Sequence, residues 1–161
     1  MLFFVPAKKI FNQEILDVLK VSNDQDVIKL IFDKTQSGDT VFFTEMKKLG
    51  LKFDFANNQG NTIAHIAAFH AQDKIIDFLV AQNFNFNATN IKGETPAHIA
   101  AAMECVNVLI ALERVGADFR ITNGDGKTPL DIAREQGKTK ATAALESMIP
   151  RGIVPLVPIE H

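Results

Sequence analysis

The sequence predicts an all-α solenoid, in which helix-turn-helix units stack side by side and carry turn or hairpin tips. The first observation is a repeat: the pattern G-x-T-x-x-x-I-A begins at Gly60, Gly93 and Gly126, which gives a period of 33 residues. The second is that each period contains two short runs of apolar residues at helical spacing. The third is a globular composition, with 47% apolar and 22% charged residues. A short unit of this kind cannot bury its apolar faces alone, so the units must stack.

The unit that begins at Asn90 shows why each segment adopts its predicted structure. The stretch from Asn90 to Gly93 is a turn sequence, because glycine readily takes a positive φ. Thr95 is a good N-cap, and the proline after it suits the first helical position, where its missing N–H would have no partner. A second helix is predicted over Val106–Glu113, and Gly116 follows it in the place of a left-handed cap.

Apolar positions of the second helices keep the same register, which predicts that they form the core. Three sets align: Ile75 with Val108 and Ala141, Ile76 with Leu109, and Leu79 with Leu112 and Leu145. Upstream, a group of phenylalanines also has the spacing of the repeat, and we interpret it as core rather than as a ligand pocket. Its members are Phe42, Phe43, Phe53 and Phe55.

The motif and its period together resemble the ankyrin repeat. In the central copy the matching residues are Gly93, Thr95, Pro96, His98, Ala100 and Ala101, and the segment VGAD, Val115 to Asp118, matches the usual end of the second helix. The other copies depart from the family pattern at three positions, with Ile63 in place of the proline, Asp131 in place of the histidine and Asn83 in place of the glycine. The resemblance is clear over 57–149, weaker over 24–56 and does not extend to the two ends.

This register divides the chain into repeats, caps and two terminal segments. Residues 24–56 are predicted to be a degenerate N-terminal capping repeat, with Val27–Gln36 as its first helix, because a terminal repeat has one face in water. Residues 57–89 and 90–122 are two full repeats, and 123–149 is a C-terminal capping repeat. Residues 1–23 are predicted to be an extra N-terminal helical extension, and 150–161 an extended tail that its prolines keep from forming a helix.

Several residues invite a chemical interpretation, and for each the structural one is favoured. Equivalent positions on stacked helices lie roughly 8–10 Å apart, too far for His65 and His98 to share a zinc ion that each ligand approaches to about 2.0–2.1 Å. Each histidine is instead predicted to bond the cap of its helix and the neighbouring loop. Cys105 lacks an activating base, and the run of acidic ligands that a calcium loop needs does not follow Asn123. We therefore predict no enzyme activity, no metal and no cofactor.

Charge and hydropathy narrow the classes of partner. The formal net charge of −2 does not indicate nucleic acid. No apolar stretch approaches the roughly 20 residues that a membrane span needs. Cys105 is the only cysteine, which excludes an intramolecular disulfide and suits a reducing compartment. The expectation is a cytoplasmic monomer.

The resemblance implies a protein-protein interaction module, an adaptor or an inhibitor, that binds a partner protein through the concave face of tips and first helices. The alternative is an effector delivered into a host cell, where it engages a host protein in the host cytoplasm. Outward positions of the repeats make up the predicted binding surface, with Phe69, Ile91 and Met103 as its apolar anchor. The full set is Asn58, Gln59, Asn61, Phe69, His70, Ile91, Lys92, Glu94, Met103, Asp125 and Lys127. Gly124 is expected to be free to vary as well.

Overall fold

The computed structural model describes residues 24–48, 50 and 53–149. Within these ranges the chain forms eight α-helices, which we number in chain order. They are α1 (Asp24–Gln36), α2 (Thr40–Lys48), α3 (Ile63–Phe69), α4 (Asp73–Val80), α5 (Pro96–Ala102), α6 (Val106–Arg114), α7 (Pro129–Glu135) and α8 (Thr139–Met148). The predicted N-terminal helical extension (1–23) and the predicted extended tail (150–161) lie outside the described residues.

The helices stack in two layers. The first helices of the units, α1, α3, α5 and α7, contact one another in chain order, and the second helices, α2, α4, α6 and α8, do the same. Within each of the last three units the first helix also packs on the second, as α5 does on α6. The predicted all-α solenoid is therefore confirmed. Helix α1 begins at Asp24, three residues before the predicted Val27.

The backbone keeps the register even where the sequence motif is weak. The loop between the two helices of each unit contains one residue in the left-handed region, with φ between 56° and 68°. These residues are Gly38, Ala71, Glu104 and Gly137, and they are 33 residues apart. Because the series begins at Gly38, the loop between α1 and α2 shares this left-handed position with the loops of the three later pairs.

The core lies between the two layers, at the positions that the register predicts. The aligned residues of the second helices are all fully buried: Ile75, Ile76, Leu79, Val108, Leu109, Leu112, Ala141 and Leu145. In the first helices the buried residues are mostly small, as at Ala67, Ala100 and Ala133, so neighbouring first helices approach closely.

The phenylalanine group forms the core of the N-terminal end. Phe42, Phe43 and Phe53 are buried, and the rings of Phe43 and Phe53 both contact Phe78, with centroids 5.6 Å and 5.4 Å away. Phe55 is half-buried and packs against the same cluster. The interpretation of these residues as core is confirmed.

Candidate protein-binding surface

The turn that begins each repeat, which we call its tip, is stabilised by hydrogen bonds to the asparagine at its start. Asn90 Oδ1 accepts hydrogen bonds from the backbone N–H groups of Lys92 (2.9 Å) and Glu94 (3.0 Å), and Gly93 has a φ of +73°. Asn57 and Asn123 repeat this arrangement in the preceding and following tips. The predicted turn is therefore confirmed, and hydrogen bonds within the turn determine the shape of the tip.

Successive tips are joined through their backbones. The N–H of Ile91 donates to the carbonyl oxygen of Gln59 (3.0 Å), and the N–H of Gly124 donates to that of Lys92 (2.8 Å). A Cβ atom on Gly124 would lie only 2.9 Å from the same Lys92 oxygen. The expectation that Gly124 is free to vary is therefore wrong, because the close approach of the preceding tip leaves no room for a side chain.

The two histidines of the repeat motif fasten each first helix to the next tip. His65 Nδ1 accepts from the backbone N–H of Thr62 (3.1 Å) and from its hydroxyl (2.9 Å), and His65 Nε2 donates to the carbonyl oxygen of Glu94 (2.8 Å). His98 repeats these contacts one unit later. Their predicted role in the cap and the neighbouring loop is confirmed.

In the last unit an aspartate takes the place of the histidine. Asp131 Oδ2 accepts from the backbone N–H of Thr128 (2.9 Å) and from its hydroxyl (2.7 Å). These hydrogen bonds stabilise the carboxylate and hold the pKa of Asp131 below its usual range. The last unit therefore keeps the hydrogen bonds of the helix cap, but Asp131 makes no contact to a following tip among the described residues.

A groove lies between the tips that begin at Asn57 and Asn90 and the helices α3 and α5. Its volume is about 390 Å³. Seven residues of the predicted binding surface line it: Gln59, Asn61, Phe69, His70, Ile91, Lys92 and Glu94. Five further residues of the lining were not predicted: Asn57, His65, Ile66, Asn90 and Ile99. Ile66 and Ile99 share one register position, which is the signal that could have revealed them.

The groove presents two large apolar side chains to solvent. Ile91 is 74% exposed at the tip, and Phe69 is 50% exposed at the end of α3. The ring of His70 stands edge-on to that of Phe69, with centroids 5.0 Å apart. Met103 is 44% exposed at the end of α5, but it does not line the groove. The structure thus brings together two of the three predicted anchor residues.

A family model describing ankyrin repeats, in three copies, matches residues 20–112 and 65–147, which together span most of the chain. The chain belongs to the ankyrin repeat family. Ankyrin repeats are generally protein-protein interaction modules and are typically non-catalytic. No curated protein matches the sequence. Among the residues described, no helix of the ankyrin array is long and apolar enough to cross a membrane.

Some of the predicted polar positions take part in contacts within the ankyrin array. Asn61 Oδ1 and a carboxylate oxygen of Glu94 both accept from Asn90 Nδ2, at 2.9 Å and 3.0 Å. Lys127 forms an ion pair with Glu135 at 2.6 Å. Asn61, Glu94 and Lys127 are therefore half-buried and internally bonded, whereas Gln59, Lys92 and Asp125 are exposed at the tips.

Asn58 belongs to a second groove, at the N-terminal end of the ankyrin array. This groove has a volume of about 420 Å³ and is lined by Asn58, its neighbours in the tip and one face of α1. The α1 residues are Ile28, Lys29, Phe32 and Asp33. These residues are not among the predicted surface positions, because α1 lacks the repeat motif from which those positions follow.

A larger cavity lies on the other side of the tips, between the loops that lead out of the second helices. It has a volume of about 520 Å³, and Phe53, Phe84 and Gln82 are among its lining residues. None of the predicted surface residues reaches it. Cys105 is half-buried, and burial raises the pKa of its thiol, so the thiolate that a nucleophile requires is disfavoured.

Proposed function

We propose that this ankyrin array is an adaptor or inhibitor that binds a partner protein through the groove between the tips at Asn57 and Asn90. The observation that carries the proposal is the exposure of Ile91, which is 74% accessible on a backbone held by two tips. A large apolar side chain on a rigid support loses little entropy on binding, which favours its use as an anchor.

Phe69 completes the apolar centre, and Met103 extends it toward the next unit. Both are exposed, at 50% and 44%, and aromatic residues and methionine are enriched at protein interfaces. The exposed tip residues Gln59, Lys92 and Asp125, together with Glu94, form the polar rim. Such a rim excludes water from the centre while contributing little affinity itself.

The matched test of this proposal is Ile91→Glu against Ile110→Glu. Ile110 is 44% exposed on α6, in the layer of second helices, so both variants replace an exposed isoleucine with the same charge. An extract of the source cells is passed over the wild-type chain and both variants, and the captured protein is identified by mass spectrometry. Its affinity for each is then measured by calorimetry.

Ile91→Glu is expected to weaken binding by about 2 kcal/mol or more, close to thirtyfold in Kd. Stability should change by less than about 0.5 kcal/mol in either variant, because both side chains are exposed. Ile110→Glu should bind normally. If Ile110→Glu loses the partner and Ile91→Glu keeps it, the partner uses the second helices and the proposal is wrong.

A further inference from the structure

Two buried histidines hold the contacts between a first helix and the tip that follows it, which we call the joints: His65 in α3 and His98 in α5. His65 and His98 are each 1% exposed. His98 Nδ1 accepts from the backbone N–H of Thr95 (3.1 Å), and His98 Nε2 donates to the carbonyl oxygen of Lys127 (2.9 Å). A backbone N–H can only donate and a carbonyl oxygen can only accept, so both rings are neutral with the proton on Nε2.

An added proton has no acceptable place at either ring. It would occupy Nδ1 and face the backbone N–H of the N-cap threonine, which would then lose its acceptor. It would also place a positive charge at a site that is closed to water, where ionisation is costly. Proton uptake is therefore linked to exposure of the ring, and exposure separates the first helix from the tip that follows it.

The charged groups around the two rings offset only part of the cost of protonating a buried histidine. Burial is the largest influence and lowers the pKa of both His65 and His98. The Glu94 carboxylate raises both pKa values, and His98 lowers that of His65. The hydrogen bond to the Lys127 carbonyl oxygen raises the pKa of His98, and the ammonium group of Lys127 is not the cause.

We propose that His65 and His98 make the groove acid-sensitive: mild acid opens the joints between units and releases the partner. The consequence for binding rests on the proposed function, whereas the opening itself rests on the contacts of the two rings. His65 lines the groove, and the Glu94 carbonyl that it holds belongs to the tip that carries Ile91. Opening that joint displaces one of the two anchors from the other.

The pH window follows from the sign of the linkage. The folded joint has histidine pKa values below the ordinary 6.5, so the opened joint binds more protons. The joint is most stable above that value and loses stability as the pH falls through it. At one pH unit below 6.5, each histidine favours opening by up to about tenfold.

The last unit supplies an internal control. Its cap is closed by Asp131, whose pKa is held below its usual range, so this carboxylate stays ionised in mild acid. The backbone N–H of Thr128 therefore keeps its acceptor under conditions in which Thr62 and Thr95 lose theirs.

The experiment is amide hydrogen exchange on the full chain, followed by NMR at about pH 7.5 and about pH 5.5 and corrected for the intrinsic exchange rate. Protection of the Thr62 and Thr95 amides should fall by up to about tenfold, and that of Thr128 by less than about twofold. Unchanged protection at Thr62 and Thr95, or an equal loss at all three, would overturn the proposal.

A direct titration of the ring carbons by NMR needs no variant. His65 and His98 should titrate below 6.5, the ordinary pKa of a histidine side chain. A His65 or His98 that titrates at or above 6.5 would overturn the inference. In His98→Gln the pH dependence at Thr95 should vanish while that at Thr62 persists, and a persistent dependence at Thr95 would contradict the assignment.

The consequence for binding is measured with the partner that the wild-type chain captures. Its affinity should fall between about pH 7.5 and about pH 5.5, in step with the protection of Thr62. If protection is lost and affinity is unchanged, the groove is not the binding site and the proposed function fails. If protection persists, only the acid-sensitive joint is refuted.

Discussion

The two middle units, 57–122, and the last unit, 123–149, cap their first helices in the same way but with different side chains. In the middle units the imidazole spans two contacts, one to its own N-cap threonine and one to the next tip. In the last unit Asp131 makes only the contact to its own cap. No tip follows the last unit within the described residues, so the longer side chain would have no second partner there.

The solvent-exposed side chains of the two regions also differ. The middle units expose Phe69, Ile91 and Met103. The last unit carries charges that pair with one another instead, Lys127 with Glu135 and Arg134 with Glu146. The middle units thus present apolar surface to solvent, whereas the last unit presents paired charges.

Ala100→Glu is expected to give the largest difference in stability between a buried position of the middle units and an exposed position of the last unit. Ala100 is fully buried between first helices, so the variant places an unpaired charge in the core and should cost about 4 kcal/mol or more. Its control is Ala143→Glu, on an exposed position of α8, which should cost less than about 0.5 kcal/mol. Urea denaturation gives both values, and a small cost at Ala100 would contradict the two-layer stack.

A finer comparison uses two glycines with the same backbone conformation. Gly93 and Gly126 have φ values of +73° and +74°, so alanine is strained by about 1–2 kcal/mol at either. At Gly93 the new Cβ would also lie 2.7 Å from the backbone nitrogen of Gly124, whereas nothing lies within 4 Å of it at Gly126.

Gly93→Ala should therefore cost about 3 kcal/mol, and Gly126→Ala about 1–2 kcal/mol. Equal losses in the two variants, measured by urea denaturation, would show that the tips do not press on each other as described.

Most of the architecture could be predicted from the sequence, because the same chemistry returns at each register position. Thr95 and Pro96 specify a helix start, and the buried residues of α4 and α6 recur at the predicted spacing. The left-handed residues Ala71 and Glu104 could not be predicted, because neither prefers that conformation. They occupy the loop position that glycine holds in the first and last units, at Gly38 and Gly137.

The candidate site was predicted only in part, for two physical reasons. Two of the hydrogen bonds that join successive tips run between backbone atoms, as from Ile91 to Gln59, and leave no mark on side-chain identity. The same contacts exclude a side chain at Gly124, which the motif alone does not reveal. In addition, α1 contributes Ile28 and Phe32 to a neighbouring groove although it lacks the repeat signature.

The smallest difference is expected when asparagine replaces His98 in one variant and Asp131 in another, at the same helix position of two units. The pair tests the hydrogen bond from His98 to the next tip. In His98→Asn the shorter amide can still accept from the Thr95 N–H, but it does not reach the carbonyl oxygen of Lys127, which His98 holds at 2.9 Å. A carbonyl left without its partner in a part-buried site costs about 1–3 kcal/mol, so we expect a loss of about 2 kcal/mol.

In Asp131→Asn the amide oxygen replaces the carboxylate in the same cap, and no contact to another unit is at stake. The loss should stay under about 1 kcal/mol, the scale of one charge near a helix N-terminus. Urea denaturation of both variants gives the difference, and amide exchange at Thr95 and Thr128 shows whether each cap remains closed. If both caps stay closed and the two variants lose the same stability, then the hydrogen bond from His98 to the next tip adds no measurable stability, and the other contacts between the middle units hold them together.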